Sequence, residues 1–93
     1  MDIVIYTTPE KLEHKKGADG YEEYYWYLSN PPKNFKQGER IYFAIKGNIV
    51  GSFECKEFYP YGDETIIWHK DSWKDLDKTI PCKPFQGFKY RKW

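Results

Sequence analysis

The chain has 93 residues, the size of one domain, and its fifteen Lys and Arg stand against fourteen Asp and Glu for a net charge of +1. That balance excludes a strongly basic histone-like binder and an acidic tail protein, and no apolar run approaches the ~18 residues of a membrane span. The apolar set is 40% of the chain and unusual in kind, with nineteen Phe, Tyr and Trp beside eight Ile, three Leu and two Val. A short chain buries a modest fraction of its unfolded surface, so rings covering ~150–250 Å² apiece must carry the core. Nineteen rings exceed what one small core absorbs, and the remainder are expected to line a surface groove. Residues 1–93 read as a single domain. The N-terminus lacks the positive n-region and long apolar stretch of a signal peptide, which leads to the expectation of a cytoplasmic protein without a membrane partner. Cys55 and Cys82 form no CxxC pair. Together with His14 and His69 they show none of the paired spacings of a structural zinc site, so no metal or cofactor is expected.

In chain order, Asp2–Tyr6 is a short apolar, β-branched run that predicts a strand. Thr7, three residues before Glu10, predicts a capping box, with Pro9 in the first turn of a short exposed helix that Gly17 terminates. Tyr21–Ser29 predicts an aromatic strand with Tyr24, Trp26 and Leu28 on one face and Glu23, Tyr25 and Tyr27 on the other. Asn30-Pro31-Pro32 stops it, because proline donates nothing to a ladder. Glu39–Phe58 predicts a hairpin. A two-residue Gly47-Asn48 loop splits the apolar residues between faces. A three-residue Lys46-Gly47-Asn48 loop unites Ile49, Gly51, Phe53 and Cys55 in one stripe, pairs Ile45 with Ile49, Phe43 with Gly51 and Ile41 with Phe53, and puts Asn48 in the left-handed region. Glu64–His69 predicts another strand, Asp71–Leu76 one helical turn capped by Asp71, Pro81–Gln86 an irregular stretch, and Gly87–Trp93 a final strand. Short strands, minor helices and turn-rich connections point to an α+β, β-rich fold, a small mixed or closed barrel.

Two segments then carry a likeness. Pro32-Lys33-Asn34-Phe35-Lys36-Gln37-Gly38-Glu39-Arg40-Ile41-Tyr42-Phe43, leading to Gly47-Asn48-Ile49-Val50-Gly51, resembles the Lys-x-Gly-Asp-Arg-apolar-aromatic-aromatic and Gly-x-Ile-x-Gly core of PUA-like domains, the group with the ASCH, EVE and YTH branches. Phe85-Gln86-Gly87-Phe88-Lys89-Tyr90-Arg91 is similar to the closing strand of small PUA-like proteins, and Trp26 followed by Asn30-Pro31 is similar to the tryptophan strand before the core. The resemblance covers about two-thirds of the chain and implies a mixed-strand pseudo-barrel with one or two short helices, whose cleft handles RNA or a modified base. The ASCH signature Gly-x-Lys-x-x-Glu-x-Arg is not matched, since Gly17 is followed two residues later by Asp19. No catalytic residue is carried over.

Rings interleaved with cations suit single-strand recognition, since bases stack on any π-face while Lys and Arg track phosphates. Tyr25, Trp26 and Tyr27 near Lys33 and Lys36 form one such cluster, and Phe85 to Trp93 with Lys89, Arg91 and Lys92 the other. Residues 70–93 hold seven cations and three acids while residues 1–69 hold eight and eleven, so the charge is polarised. The nucleic-acid-binding candidates are therefore Tyr25, Trp26, Lys33, Arg40, Phe85, Lys89 and Arg91, each with an ordinary alternative in packing or a solvated face. For Arg40, beside Glu39 at a strand start, an ion pair pinning the barrel is favoured over a phosphate contact. His69 has no neighbouring nucleophile in sequence, and its ordinary role is a packed or exposed strand histidine. The alternatives to RNA or modified-nucleotide binding are a small hydrolase of a modified nucleoside, marked by a displaced lysine or carboxylate pKa, and a protein-interaction module, marked by an aromatic patch without cations.

Overall fold

The computed structural model describes every residue from Met1 to Trp93. Its strands are β1 (Ile3–Tyr6), β2 (Glu23–Trp26), β3 (Arg40–Ile45), β4 (Asn48–Glu54), β5 (Glu57–Phe58), β6 (Ile66–His69), β7 (Lys74–Pro81) and β8 (Phe88–Tyr90), with one short helix, α1 (Pro9–Glu13). They form a five-stranded sheet in the order β7-β4-β3-β1-β8 and a three-stranded sheet in the order β2-β6-β5. The α+β, strand-rich class is as expected. Closure is not: neither sheet curls into a barrel, and β7, β8, β2 and β5 remain edges.

Alternation along β1 and β3 decides where the core lies. Ile3, Ile5, Ile41, Phe43 and Phe53 point from the large sheet towards Tyr24, Ile66 and Trp68 of the small one, forming a single buried cluster with Leu12, Leu28, Phe35 and Cys55. Its centre is aromatic. Trp68 stacks on Phe53 with centroids 4.8 Å apart, and Phe43 meets both rings edge-on. Aromatic pairs in these geometries contribute about 0.5–1.5 kcal/mol beyond the area they bury, so a core poor in Leu and Val still holds. The Trp68 indole N–H, which burial would otherwise strand, donates to the Lys15 carbonyl at 3.2 Å. β2 keeps the predicted faces, with Tyr24 and Leu28 buried, Trp26 half-buried, and Tyr25 and Tyr27 exposed.

Several expectations are corrected. The Thr7 N–H continues the sheet by donating to Ala44 O at 2.9 Å, so the helix cap falls one residue later, on Thr8, whose hydroxyl accepts from Lys11 N at 3.2 Å. Glu10 is then too early for a capping box. The helix is not simply exposed, because Leu12 is buried; it runs on into a π-type turn, His14–Ala18, within which Gly17 takes φ of 109°. Asp71–Leu76 is not a helical turn. His69 caps a single 3₁₀ turn, Lys70–Ser72, and the chain then enters β7, where Lys74 and Asp75 pair with Ser52 and Gly51 of β4.

The hairpin correction is the most instructive. The loop is the two-residue Lys46-Gly47 turn, with φ of 49° and 84°, the pattern of a type I′ turn. It pairs Ile45 with Asn48 and Ala44 with Ile49, and a bulge then restores the predicted Phe43–Gly51 and Ile41–Phe53 pairs. The bulge reverses the side-chain phase of β4. Ile49 consequently joins Val4, Tyr42 and Ala44 on the outer face of the sheet, while Val50 packs against the inner core. Gly51 is needed where β4 meets Trp73, since a Cβ there would lie 2.6 Å from Lys74 O and inside the indole.

Candidate functional site

Where β2 ends, Leu28 is pinned beside the small sheet: its N–H donates to Thr65 Oγ1 at 3.0 Å, and the one proton of that hydroxyl goes to Gly62 O at 3.2 Å, the nearer of two carbonyls in reach. The segment Tyr27–Asn30 is therefore held out from the sheet opposite the turn Gln86-Gly87 that enters β8. Between them lies a cleft of about 480 Å³, walled by Trp26, Tyr27, Phe88, Ile5, Tyr6 and Leu28 and edged by Ser29, Asn30 and Gln86. No charged residue lines it. Trp26 is braced from behind by Phe43, edge-on at 5.4 Å, so one ring serves both core and cleft. Ser29, Asn30 and Gln86 supply neutral donors and acceptors at the rim, the chemistry that reads a base edge.

A second depression, about 400 Å³ and lined by Lys11, His14 and Lys15, shares Trp26 and Tyr27 with the first. The helix and its π-type turn bring these cations alongside β2. The Lys15 ammonium stands 4.3 Å from the Tyr25 ring centroid and 5.9 Å from that of Trp26. Burial holds the Lys15 pKa below the ordinary lysine value, Glu64 opposing the shift and Lys11 adding to it. His14 pairs with Asp19 at 2.6 Å.

The seven residues singled out by sequence do not share one surface. Trp26 lines the uncharged cleft, and Tyr25 lies on the other face of β2 beneath Lys15. Lys33 borders a separate depression beside Lys36 and Glu39. Arg40 is internal: it donates to Ser52 Oγ at 2.7 Å, Ser52 O at 3.1 Å and Ser72 O at 3.0 Å, tying β3 to β4 and the 3₁₀ turn. Arg91 is likewise committed, to Asp2 and Tyr42 Oη at 3.0 Å each and to Trp93 O at 3.1 Å. Phe85 and Lys89 sit together on the outer face, the ammonium 4.8 Å from the ring centroid. Sequence reasoning placed Ser29 at the end of the aromatic strand, Asn30 at its stop and Gln86 in an irregular stretch, and it singled out neither Lys11 nor Lys15 of the short helix. Only the hydroxyl and amides just ahead of Pro31 and Gly87 hinted that loops would present them.

Elsewhere the chemistry is weak. Glu22 and Asp71 flank His69, but they face its two different ring nitrogens, at 3.2 and 3.6 Å, and Nδ1 already accepts the Asp71 N–H. One ion cannot use both sides of an imidazole. Cys55 is buried with its thiol donating to Glu57 O, and burial, with Glu39 nearby, pushes its pKa up to about 12, which removes it as a nucleophile. Comparison with protein families, curated proteins and solved structures returned no match, so this geometry stands as the ground for a functional reading.

Proposed function

We propose that the chain binds single-stranded RNA, or one modified nucleotide within it, with a base in the Trp26–Phe88 cleft and the adjoining phosphate near Lys11 and Lys15. In this reading the two packed sheets are an open version of the PUA-like pseudo-barrel. The observation that carries it is the shared wall: an uncharged aromatic and amide cleft and a cationic depression meet along Trp26 and Tyr27. A nucleotide has the same division, a flat neutral base beside an anion. Stacking on an aromatic ring contributes ~1–3 kcal/mol per base, and each phosphate contact adds about −0.7 to the salt slope for a single strand. The cations of this reading differ from the C-terminal ones that composition suggested, because Arg91 is held by Asp2, Tyr42 and Trp93 O and Lys89 faces away from the cleft.

The test is a fluorescence titration of short single strands and free nucleosides at two salt concentrations. Tyr27 is 55% exposed and outside the buried core, so Tyr27→Ala should weaken binding by ~1–3 kcal/mol with little loss of fold. Lys11→Gln and Lys15→Gln should each flatten the salt dependence by ~0.7, and Lys89→Gln should leave it unchanged. Affinity indifferent to Tyr27 and to both lysines would refute the reading. The lowered Lys15 pKa is the mark given for the hydrolase, so hydrolysis of a free nucleoside without strand binding would replace the reading with that one.

A further inference from the structure

The outer face of the large sheet carries a second cavity whose chemistry is the reverse of the first. Its floor is Val4 and Ile49, its walls Ile80, Cys82 and Phe85, and Trp93 closes one end, enclosing about 290 Å³. No hydroxyl, amide or carboxylate side chain is turned into it: Tyr90 borders it, but its hydroxyl accepts from Asn34 N at 3.0 Å. Two charges stand at its margin, Lys89 and Lys92, both exposed and neither paired with any carboxylate. The Lys89 ammonium is steered over the Phe85 ring, which holds the positive charge beside the apolar wall.

We propose that this cavity binds a small anion with an apolar body, an aryl or short alkyl carboxylate or sulfonate. The body replaces water on a surface that offers water few hydrogen bonds, and the acid group meets the two unpaired ammoniums at the rim. A nucleobase is a poor occupant, because its ring nitrogens and exocyclic groups would lose hydrogen bonds to water and find no partners. The volume is the liquid share of about ten waters, which accommodates one small organic molecule. The two sites share no lining residue, although Tyr6 of the cleft meets Phe85 of the cavity edge-on at 6.0 Å, and the proposal does not depend on the nucleotide reading.

Cys82 provides the readout. It lines the cavity and is half-buried, whereas Cys55 is sealed in the core with a raised thiol pKa, so an alkylating reagent on the folded protein should report Cys82 alone. The probe is 1-anilinonaphthalene-8-sulfonate, followed by its fluorescence, with uncharged N-phenyl-1-naphthylamine as control. One saturable sulfonate site, protection of Cys82 from iodoacetamide at saturation, and silence of Cys55 throughout are expected. Lys89→Gln with Lys92→Gln should weaken the sulfonate about tenfold, the order of two exposed ion pairs, and leave the neutral amine unchanged. Sulfonate binding that neither protects Cys82 nor responds to the lysines overturns the proposal. Displacement of the probe by a single strand, or by self-association that Ile80→Asp abolishes, also overturns it, assigning the face to RNA or to a second copy.

Discussion

The two faces of the five-stranded sheet are built from alternate residues of the same strands, yet they are different materials. On the inner face Ile3, Ile5, Ile41, Phe43 and Phe53 are at most 1% exposed, because the whole small sheet lies over them. On the outer face Val4, Tyr42, Ala44 and Ile49 are covered by Tyr6, by the partly buried Leu76, Ile80, Cys82 and Phe85, and by Arg91 and Trp93 over Tyr42, all but Tyr6 from the last third of the chain. The inner face has a partner layer and becomes a core. The outer face has a strap, and what the strap leaves uncovered is a cavity. Single-residue alternation thus sets stability against binding within one strand: in β8, Phe88 packs towards the core and the nucleotide cleft while Lys89 reaches the outer cavity.

The comparison breaks most sharply under truncation. Trp68 is fully buried between Phe53 and Phe43, so Trp68→Ala should cost ~3–5 kcal/mol, much of the ~5–15 kcal/mol that holds a small domain folded. Ile80→Ala, on the strap, should cost about 1 kcal/mol, since a half-exposed side chain leaves a dent that water fills. Urea midpoints of the two variants measure the difference. Equal losses would mean that the outer layer is as much a core as the inner one.

The thiols offer a gentler version of the same contrast, in pH. Cys55 belongs to the inner cluster and Cys82 packs against the outer one. In the unfolded chain a thiol loses its proton near ~8.5, while burial keeps the Cys55 proton until about 12. A raised acid pKa means that the folded state binds the proton more tightly. Its contribution is whole below ~8.5 and is lost as pH rises from there towards about 12. The loss from this one group should run at up to ~1.4 kcal/mol per pH unit. Denaturation between pH 8 and 10.5 should accordingly fall more steeply for the parent than for Cys55→Ala. Identical slopes for the two would show Cys55 to be open to solvent.

Much of this was legible before the structure. An apolar β-branched run located β1, alternation located β2, β3 and β8 and put Tyr24 and Leu28 on one face, and β6 fell within the strand predicted over Glu64–His69. β7 was not legible, because Lys74-Asp75-Leu76-Asp77-Lys78 has a helix-like composition; it is a strand only because β4 presents an open edge to it. The candidate site was half legible. Trp26 stood out as a ring beyond the needs of the core. The cations that accompany it, Lys11 and Lys15, are ten and more residues away and reach it only because α1 and its π-type turn lie against β2. Conversely, Arg91 read as a free cation and is engaged by Asp2 and Tyr42, while Arg40 has the structural role favoured for it, but through neutral oxygens of Ser52 and Ser72 rather than an ion pair.

The smallest effect concerns how the two faces are kept in phase, and it sits in the β3–β4 turn. Gly47 suits its φ of 84°, but Lys46 at 49° occupies the left-handed region, where a side chain with a full Cβ is disfavoured. The turn tolerates this because it is anchored from both sides: Gly47 N donates to Tyr6 Oη at 2.6 Å, and Gly47 O accepts from Cys82 N at 2.8 Å. Asn-Gly is the preferred sequence for this turn, since Asn accepts the left-handed conformation more readily than Lys. Lys46→Asn should therefore stabilise the protein by ~0.5 kcal/mol, a rise of ~2–4 °C in Tm for a domain of this size. Asn48 is already in the strand, so Asn48→Gly should lose ~0.5–1 kcal/mol through the greater freedom of the unfolded chain. Had the loop been the three-residue one, Asn48 would hold the left-handed position and the two signs would exchange. A thermal melt of the two variants thus reads the register directly, because only the two-residue turn, with its compensating bulge, sends Ile49 to the outer face and Val50 to the inner.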